Sequence, residues 1–83
     1  MNLKEALNTA VITQQARAGV TNKDLAKALD ISEAQIVKYR NGQTPWPLGR
    51  LDVVAEALKL NNGWELLELA KNEANIAEHV PIA

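Results

Sequence analysis

Apolar residues recur three and four positions apart along nearly the whole chain, and this spacing predicts amphipathic α-helices. The first apolar stripe comprises Leu3, Leu7, Ala10 and Val11. Asn2 suits an N-cap before this helix, and Gly19 suits the left-handed residue that follows a helix end. No stretch alternates strictly between apolar and polar residues for long, so the pattern favours helices over strands.

Two short helices and a tight turn are predicted within residues 21–42. Thr21 is the expected N-cap of the second helix, with Asp24 forming an imperfect capping box because Glu or Gln is preferred there. Ser32 is the expected N-cap of the third helix. The inward faces are expected at Leu25, Ala26, Leu29, Ile36 and Tyr39. The turn contains Asp30, which we expect to be left-handed, and the apolar Ile31.

The remainder of the chain predicts a loop and two more helices. Pro45 and Pro47 exclude a helix through Trp46. A fourth helix is predicted from about Leu48, and a fifth from about Trp64 to about residue 77, before Pro81. The apolar stripe of the fourth helix comprises Leu51, Val54, Ala55 and Leu58. The prediction is an all-α, five-helix fold with a helix-turn-helix at helices 2 and 3, forming a single domain over residues 1–83.

Composition narrows the class of protein. The chain has 83 residues, 47% of them apolar, which suffices for one small core. It has no cysteine, which excludes disulfides and thiolate chemistry. The start at Met1 suggests a complete small protein, and neither a signal peptide nor a span of about 20 apolar residues is evident, so we expect a cytoplasmic protein. Without a phosphate-binding glycine loop or a paired acid and base, we expect no enzyme, cofactor or metal.

Charge is distributed unevenly around a net value of −1. Residues 1–50 contain seven Lys or Arg and four acids, a net +3, whereas residues 51–83 contain two and six, a net −4. Because binding depends on the local field, a basic front is compatible with docking on nucleic acid.

The outward face of the third helix suits a DNA major groove. Lys38 can donate to guanine, Glu33 can accept from cytosine, and Gln35 can pair with adenine. The expected base contacts are Glu33, Ala34, Gln35, Val37 and Lys38. The expected phosphate contacts are Asn22, Lys23, Arg40, Asn41, Gln43 and Thr44, with the Gly42 backbone beside Asn41.

Residues 19–58 resemble the helix-turn-helix domain of the lambdoid phage repressor and Cro group, also called XRE-type regulators. The matching features are Gly19-Val20-Thr21, Leu25-Ala26, Ile31-Ser32, Ile36, Tyr39, Asn41-Gly42 and Pro47 followed by LDVVAEAL. The resemblance implies a repressor-like fold, symmetric dimers and a third helix in the major groove. By position it implies base contacts at Glu33, Ala34 and Lys38, and phosphate contacts at Asn22, Asn41 and the loop after Gly42.

Three features depart from the family pattern. Asn22 and Glu33 stand where many members have glutamine, and Asp30 stands where glycine is common. Gln15 and Arg40 stand where many members have an Arg–Glu pair, so we expect Arg40 to be free for another acid or for phosphate.

The fifth helix carries two apolar faces, with Trp64 and Leu67 on one side. The other face, which also includes residue 77, is the expected homodimer interface and is formed by Leu66, Leu69, Ala70 and Ile76. Residues 63–83 are therefore a candidate dimerisation element. Burial of both faces within the monomer remains an alternative. Trp46 and Trp64 are expected to pack in the core or at a hinge.

These features predict a small phage-type or prophage-type repressor that binds a double-stranded DNA operator as a homodimer, with no small-molecule ligand and no membrane. An antitoxin that represses its own operon and binds a toxin remains an alternative. A helix-turn-helix adaptor that binds protein and not DNA is a further alternative. Activation and DNA bending for excision also stay open.

Overall fold

A computed structural model describes residues 1–79 of the chain, with side chains described through residue 76. The predicted all-α architecture is confirmed, since the described residues form helices and no strand. The five helices are α1 Leu3–Ala18, α2 Asn22–Leu29, α3 Glu33–Arg40, α4 Leu51–Ala57 and α5 Gly63–His79. A 3-10 turn at Leu48–Arg50 leads into α4. In this part of the chain, no helix combines the length and apolar character that a bilayer crossing needs.

The predicted ends of α1 are confirmed. The Asn2 side chain accepts a hydrogen bond from the Glu5 backbone N–H at 2.9 Å, so Asn2 is the N-cap. At the other end Gly19 is left-handed with φ 69° and donates its backbone N–H to the Gln15 carbonyl. Glycine adopts this conformation without the steric penalty that a Cβ imposes, which explains the sharp end of the helix.

One apolar core joins all five helices. Its fully buried large side chains are Val11, Leu25, Leu29, Ile36, Val54, Leu58 and Leu66. The predicted α1 stripe is confirmed at Leu7, Ala10 and Val11, whereas Leu3, the first residue of α1, is 68% exposed. Burying these side chains excludes apolar surface from water, which is the main force that holds the helices together.

The α5 packing corrects the predicted dimer interface. Leu66 and Ala70 are completely buried among α1 and α4, so the prediction that they form the dimer contact is wrong for this fold. Leu69 is half-buried against the same core, and Ile76 is exposed. Trp64 was expected in the core or at a hinge, yet it is 76% exposed. Residues 80–83 and the side chain of residue 77 lie outside the described part.

Trp46 anchors the loop between α3 and the 3-10 turn. Its side chain is buried, as predicted, and its ring lies 4.7 Å from the Tyr39 ring, between centroids, at an angle of 31°. Such aromatic pairs contribute beyond their buried area. The contact ties the loop at residues 43–47 to the end of α3.

The α4–α5 junction is unusually close. The Gly63 backbone N–H donates to Asp52 Oδ1 at 2.7 Å, and a Cβ added at Gly63 would lie only 3.0 Å from that same oxygen. Lys59, just after α4, is left-handed with φ 68°. The junction therefore leaves little space for a side chain at Gly63, and it holds Lys59 in a conformation that residues with a Cβ rarely adopt.

Candidate nucleic-acid interface

The N-terminus of α2 is fixed by a complete capping box. Thr21 Oγ1 accepts from the Asp24 backbone N–H at 3.1 Å, and the Thr21 backbone N–H donates to Asp24 Oδ2 at 3.0 Å. The expectation that Asp24 would make an imperfect box is therefore wrong, because its shorter side chain still reaches back. The hydrogen bonds from the Thr21 backbone and then its hydroxyl lower the pKa of Asp24 below its ordinary value of 3.8.

The turn between α2 and α3 has the predicted geometry. Asp30 is left-handed with φ 56°, and the Ile31 backbone N–H donates to the Ala26 carbonyl at 3.0 Å. Ala26 is buried where the two helices approach, and Ser32 Oγ accepts from the Gln35 backbone N–H at 3.2 Å. A turn this short fixes α3 at a steep angle to α2, with the N-terminus of α3 at the protein surface.

The outward face of α3 carries four of the five predicted base-contacting side chains. Glu33, Ala34, Val37 and Lys38 are all exposed, whereas Gln35 is half-buried. This face holds one acceptor, one cation and two apolar groups, which correspond to different base-edge chemistries in a major groove. Ile36 is completely buried beneath it and holds the helix in place.

A hydrogen-bond network that the sequence did not reveal joins α1, α2 and α3 through Asn22. Asn22 Oδ1 accepts from Arg40 Nη1 at 2.8 Å and from Gln15 Nε2 at 3.0 Å, and Gln15 Nε2 also lies 3.3 Å from the Val20 carbonyl. Arg40 is thus bonded within the protein, and the expectation that it would be free is wrong. No local signal could identify this network, because Asn22 and Arg40 are 18 positions apart.

The same network leaves donors available on the surface. Within the described residues Asn22 Nδ2 has no intrachain hydrogen-bond partner, and Arg40 as a whole is half-buried although its Nε is buried. Asn22, Lys23 and Arg40 line one shallow groove together with Glu33 and Val37. Two predicted base-contacting residues and three predicted phosphate-contacting residues are therefore neighbours here.

The other end of α3 holds the remaining predicted phosphate-contacting residues. Asn41 and Gln43 are exposed, and Thr44 is half-buried. The backbone N–H groups of Gln43 and Thr44 donate to the Lys38 carbonyl at 3.0 and 3.3 Å, and that of Gly42 donates to the Tyr39 carbonyl at 3.1 Å. The prediction that the Gly42 backbone is a free donor is therefore wrong, and the side chains are the groups this loop presents.

Lys4 and Asn8 of α1 join this loop, although sequence reasoning gave them no role. A Cβ added at Gly42 would lie 3.5 Å from Asn8 Nδ2 and 4.0 Å from Lys4 Nζ. The fold therefore adds an ammonium group and an amide to the surface beside Asn41 and Gln43. Their separation from Gly42 along the chain explains why no local motif indicated them.

The arrangement suits binding of an anionic double helix. Donor-bearing side chains flank both ends of α3, and no three His, Asp or Glu side chains within the described residues come together as a metal site. Flanking donors of this kind fix a protein on phosphates while the helix between them faces the bases.

Comparison with known proteins agrees with this geometry. Residues 15–72 match a family model described as the Cro/C1-type HTH DNA-binding domain. No curated protein and no solved structure matches the chain significantly. The match includes the whole helix-turn-helix, α4 and the first half of α5, well over half of the chain. The chain therefore belongs to the Cro/C1-type helix-turn-helix DNA-binding domain family, a family of DNA-binding regulators.

Proposed function

We propose that this protein is a small cytoplasmic transcriptional repressor of phage or prophage type, which binds a symmetric operator as a homodimer. The observation that carries the proposal is the exposed face of α3 at Glu33, Ala34, Val37 and Lys38, set between donor groups at both of its ends. Membership of the Cro/C1-type family supports DNA as the partner.

The phosphate contacts hold α3 in the groove in this proposal. Asn22 and Lys23 contact the backbone on one side, and Asn41 and Gln43 contact it on the other. Arg40 supplies a fixed positive charge near Asn22 without giving up its intrachain hydrogen bond. Residues 1–50 carry a net charge of +3 and residues 51–83 a net charge of −4, and this asymmetry favours docking through the N-terminal part of the chain.

Base contacts come from the α3 face. Lys38 donates to guanine, Glu33 accepts from the amino group of cytosine, and Val37 with Ala34 contacts thymine methyl groups. Two copies related by two-fold symmetry place their α3 helices in successive major grooves about 34 Å apart. Occupation of the operator then excludes RNA polymerase from an overlapping promoter.

The first test is binding to DNA from the intergenic region upstream of the protein's own gene, measured by fluorescence anisotropy over a series of salt concentrations. We expect specific binding. The logarithm of the association constant should fall linearly with the logarithm of the salt concentration, with a slope set by the number of phosphate contacts. Absence of binding even at low salt would contradict the proposal and favour the protein-binding adaptor. A toxin-sized reading frame beside the gene would instead favour the antitoxin.

Lys38→Ala tests the base contact directly. We expect a loss of about 1–3 kcal/mol on the operator and a much smaller loss on random DNA. The matched control is Lys71→Ala, which removes the same charge from the exposed surface of α5. An equal loss on both DNAs would assign Lys38 to phosphate, and equal behaviour of the two variants would remove Lys38 from the interface.

A further inference from the structure

Two Asn-Gly pairs occur in the chain, at Asn41-Gly42 and at Asn62-Gly63. Such a pair is prone to spontaneous loss of the side-chain amide, because glycine has no Cβ to keep its backbone nitrogen away from the preceding side chain. The first pair directly follows α3 in the candidate nucleic-acid interface, and the second stands where α5 begins. Their chemistry is the same, so their surroundings in the fold decide whether they react.

The reaction needs no reactant other than water. The glycine backbone nitrogen loses its proton and attacks Cγ of the asparagine, which closes a succinimide ring and expels the side-chain nitrogen as ammonia. Both groups belong to neighbouring residues, and this proximity favours the attack. Water then opens the ring at one of its two carbonyl groups and leaves either aspartate or isoaspartate. Overall, an amide and water become a carboxyl group and ammonia, with no oxidation or reduction.

Both reacting groups of the first pair are accessible. The Asn41 side chain is exposed, and it makes no hydrogen bond to any other described residue. The Gly42 N–H donates to the Tyr39 carbonyl at 3.1 Å, a bond at the end of α3. Bonds at helix ends open at little cost in free energy. When this bond opens, the Gly42 nitrogen is free to turn toward Asn41 Cγ.

Two side chains of α1 favour the charged stages of the reaction at Gly42. A Cβ added at Gly42 would lie 3.5 Å from Asn8 Nδ2 and 4.0 Å from Lys4 Nζ, so an amide donor and an ammonium group flank this glycine. A nearby cation favours the deprotonated backbone nitrogen, and nearby donors favour the oxyanion that forms during the attack. The surroundings of Gly42 therefore promote ring closure.

The second pair has the opposite surroundings. The Gly63 N–H donates to Asp52 Oδ1 at 2.7 Å, so the attacking nitrogen is already bonded. Asn62 Oδ1 accepts from the Glu65 backbone N–H at 3.1 Å, which holds the side chain at the start of α5. Gly63 is buried, and the Asp52 carboxylate beside it opposes a second negative charge. The fold therefore protects this pair.

We propose that Asn41 is a site of spontaneous deamidation, and that its conversion to aspartate or isoaspartate weakens DNA binding. The effect on DNA rests on the proposed function, in which Asn41 donates to phosphate. The modification site does not rest on it, because it follows from the groups around Gly42.

The product opposes phosphate binding in two ways. The Asn41 amide is a donor, whereas a carboxylate only accepts and its charge repels phosphate. The new carboxylate also lies beside the Lys4 ammonium, so it attracts this cation away from phosphate. A newly made molecule therefore binds DNA more tightly than an aged one. Because the reaction expels ammonia and is irreversible, it limits the time for which each molecule stays competent to bind.

The test compares the two pairs within one molecule. Trypsin cleaves after Lys and Arg, so it releases Asn41 in the fragment of residues 41–50 and Asn62 in the fragment of residues 60–71. The full chain is incubated at mildly alkaline pH, folded in one sample and unfolded in guanidinium chloride in another. Mass spectrometry then measures the deamidated fraction at each asparagine, and a sample digested without incubation gives the background.

We expect Asn41 to convert more than tenfold faster than Asn62 in the folded protein, and at a similar rate in the unfolded protein. Equal rates in the folded protein would overturn the modification site. An Asn41 that stays unmodified in the folded protein while the unfolded chain converts would overturn it as well.

Lys4→Met tests the neighbouring charge. It should slow conversion of Asn41 at least twofold, because the cation no longer favours the deprotonated Gly42 nitrogen. Lys71→Met is the matched control, since it removes the same charge from the exposed surface of α5 and should leave the rate unchanged. Equal rates in these two variants would overturn the part assigned to Lys4.

Operator binding by the aged samples tests the consequence. We expect protein converted at Asn41, and the Asn41→Asp variant, to bind the operator more than tenfold more weakly in fluorescence anisotropy at low salt. Asn41→Gln is the control, because it keeps an amide donor and its longer side chain closes the corresponding ring far more slowly. It should bind like new protein and keep its affinity during incubation.

Full operator affinity in folded protein converted at Asn41 would overturn the proposed effect on DNA. New protein that converts at Asn41 but has no affinity for DNA would support the modification site and overturn the repressor.

Discussion

The Asn22 network gives the sharpest prediction about stability. Asn22→Ala removes the one oxygen that accepts from both Arg40 Nη1 and Gln15 Nε2, at 2.8 and 3.0 Å. A hydrogen bond to a charged group contributes about 1.5–3 kcal/mol and a neutral one about 0.5–1.5 kcal/mol. In the variant, water can solvate the half-buried Arg40, and Gln15 keeps its hydrogen bond to the Val20 carbonyl. The lower end of each range therefore applies, and the two losses sum to about 2 kcal/mol.

Alanine also has a higher helix propensity than asparagine, which offsets about 0.5 kcal/mol of that loss. The net expectation is about 1.5 kcal/mol less stability, or a Tm lower by about 6–12 °C in a domain of this size. Urea unfolding gives the free energy and thermal unfolding gives the Tm. Asn41→Ala is the control, because it removes the same side chain from an exposed position, and it should stay within about 0.5 kcal/mol of the unaltered protein.

A double-mutant cycle of Asn22→Ala with Arg40→Ala isolates the bond between them. We expect a coupling energy of about 1 kcal/mol, since residues in one hydrogen-bond network are not additive. Fully additive effects, or a loss below about 0.5 kcal/mol for Asn22→Ala alone, would refute the network as a structural element.

Asn22→Asp separates folding from DNA binding at the same position. A carboxylate still accepts from Arg40 and suits the first turn of α2, so stability should be retained. The carboxylate cannot donate to phosphate and repels it, so operator affinity should fall. Unchanged affinity in a folded Asn22→Asp protein would remove Asn22 from the proposed phosphate contacts.

Three further predictions concern backbone geometry and pH. Lys59→Gly should stabilise the protein by about 0.5–1 kcal/mol in urea unfolding because it relieves a left-handed φ of 68°, whereas Lys59→Ala should not. Gly63→Ala should destabilise the protein by about 1–3 kcal/mol, since the added Cβ would lie 3.3 Å from backbone atoms of α4. Gly49→Ala is the control and should be neutral in the same assay, because a Cβ at Gly49 meets no atom within 4 Å. The pKa of Asp24 is lowered on folding by its hydrogen bonds to Thr21, so its contribution is complete above pH 3.8 and is lost as pH falls through the lower folded value. Urea midpoints between neutral pH and pH 3 should fall less steeply in Asp24→Ala, and identical slopes would contradict this origin.

Local signals predicted the helix N-caps well, although α4 begins at Leu51, after a 3-10 turn that starts at the predicted Leu48. Asn2, Thr21 and Ser32 are caps in the structure as expected, because capping depends on atoms only three residues apart. Asp30 is left-handed for an equally local reason, since the turn between two such close helices leaves it little alternative. These features follow from short stretches of chain.

Features that depend on distant neighbours were not predictable in the same way. Both apolar faces of α5 have helical spacing, so the sequence alone did not show whether Leu66 or Trp64 meets the core. In the structure, α5 packs against α1 and α4 with Leu66 buried and Trp64 exposed. Likewise, Arg40 looked free because its partner, Asn22, lies on a different helix.

The exposed face of α3 has a consequence for how such a protein can evolve. Glu33, Ala34, Val37 and Lys38 lie outside the core, and surface substitutions of that kind usually change stability by less than about 0.5 kcal/mol. Ile36 and Tyr39, on the opposite side of the same two turns, keep the helix attached. In the proposed repressor, target preference can therefore diverge between descendants through successive single substitutions in this face. Each such substitution leaves a folded protein, because the core residues are not changed.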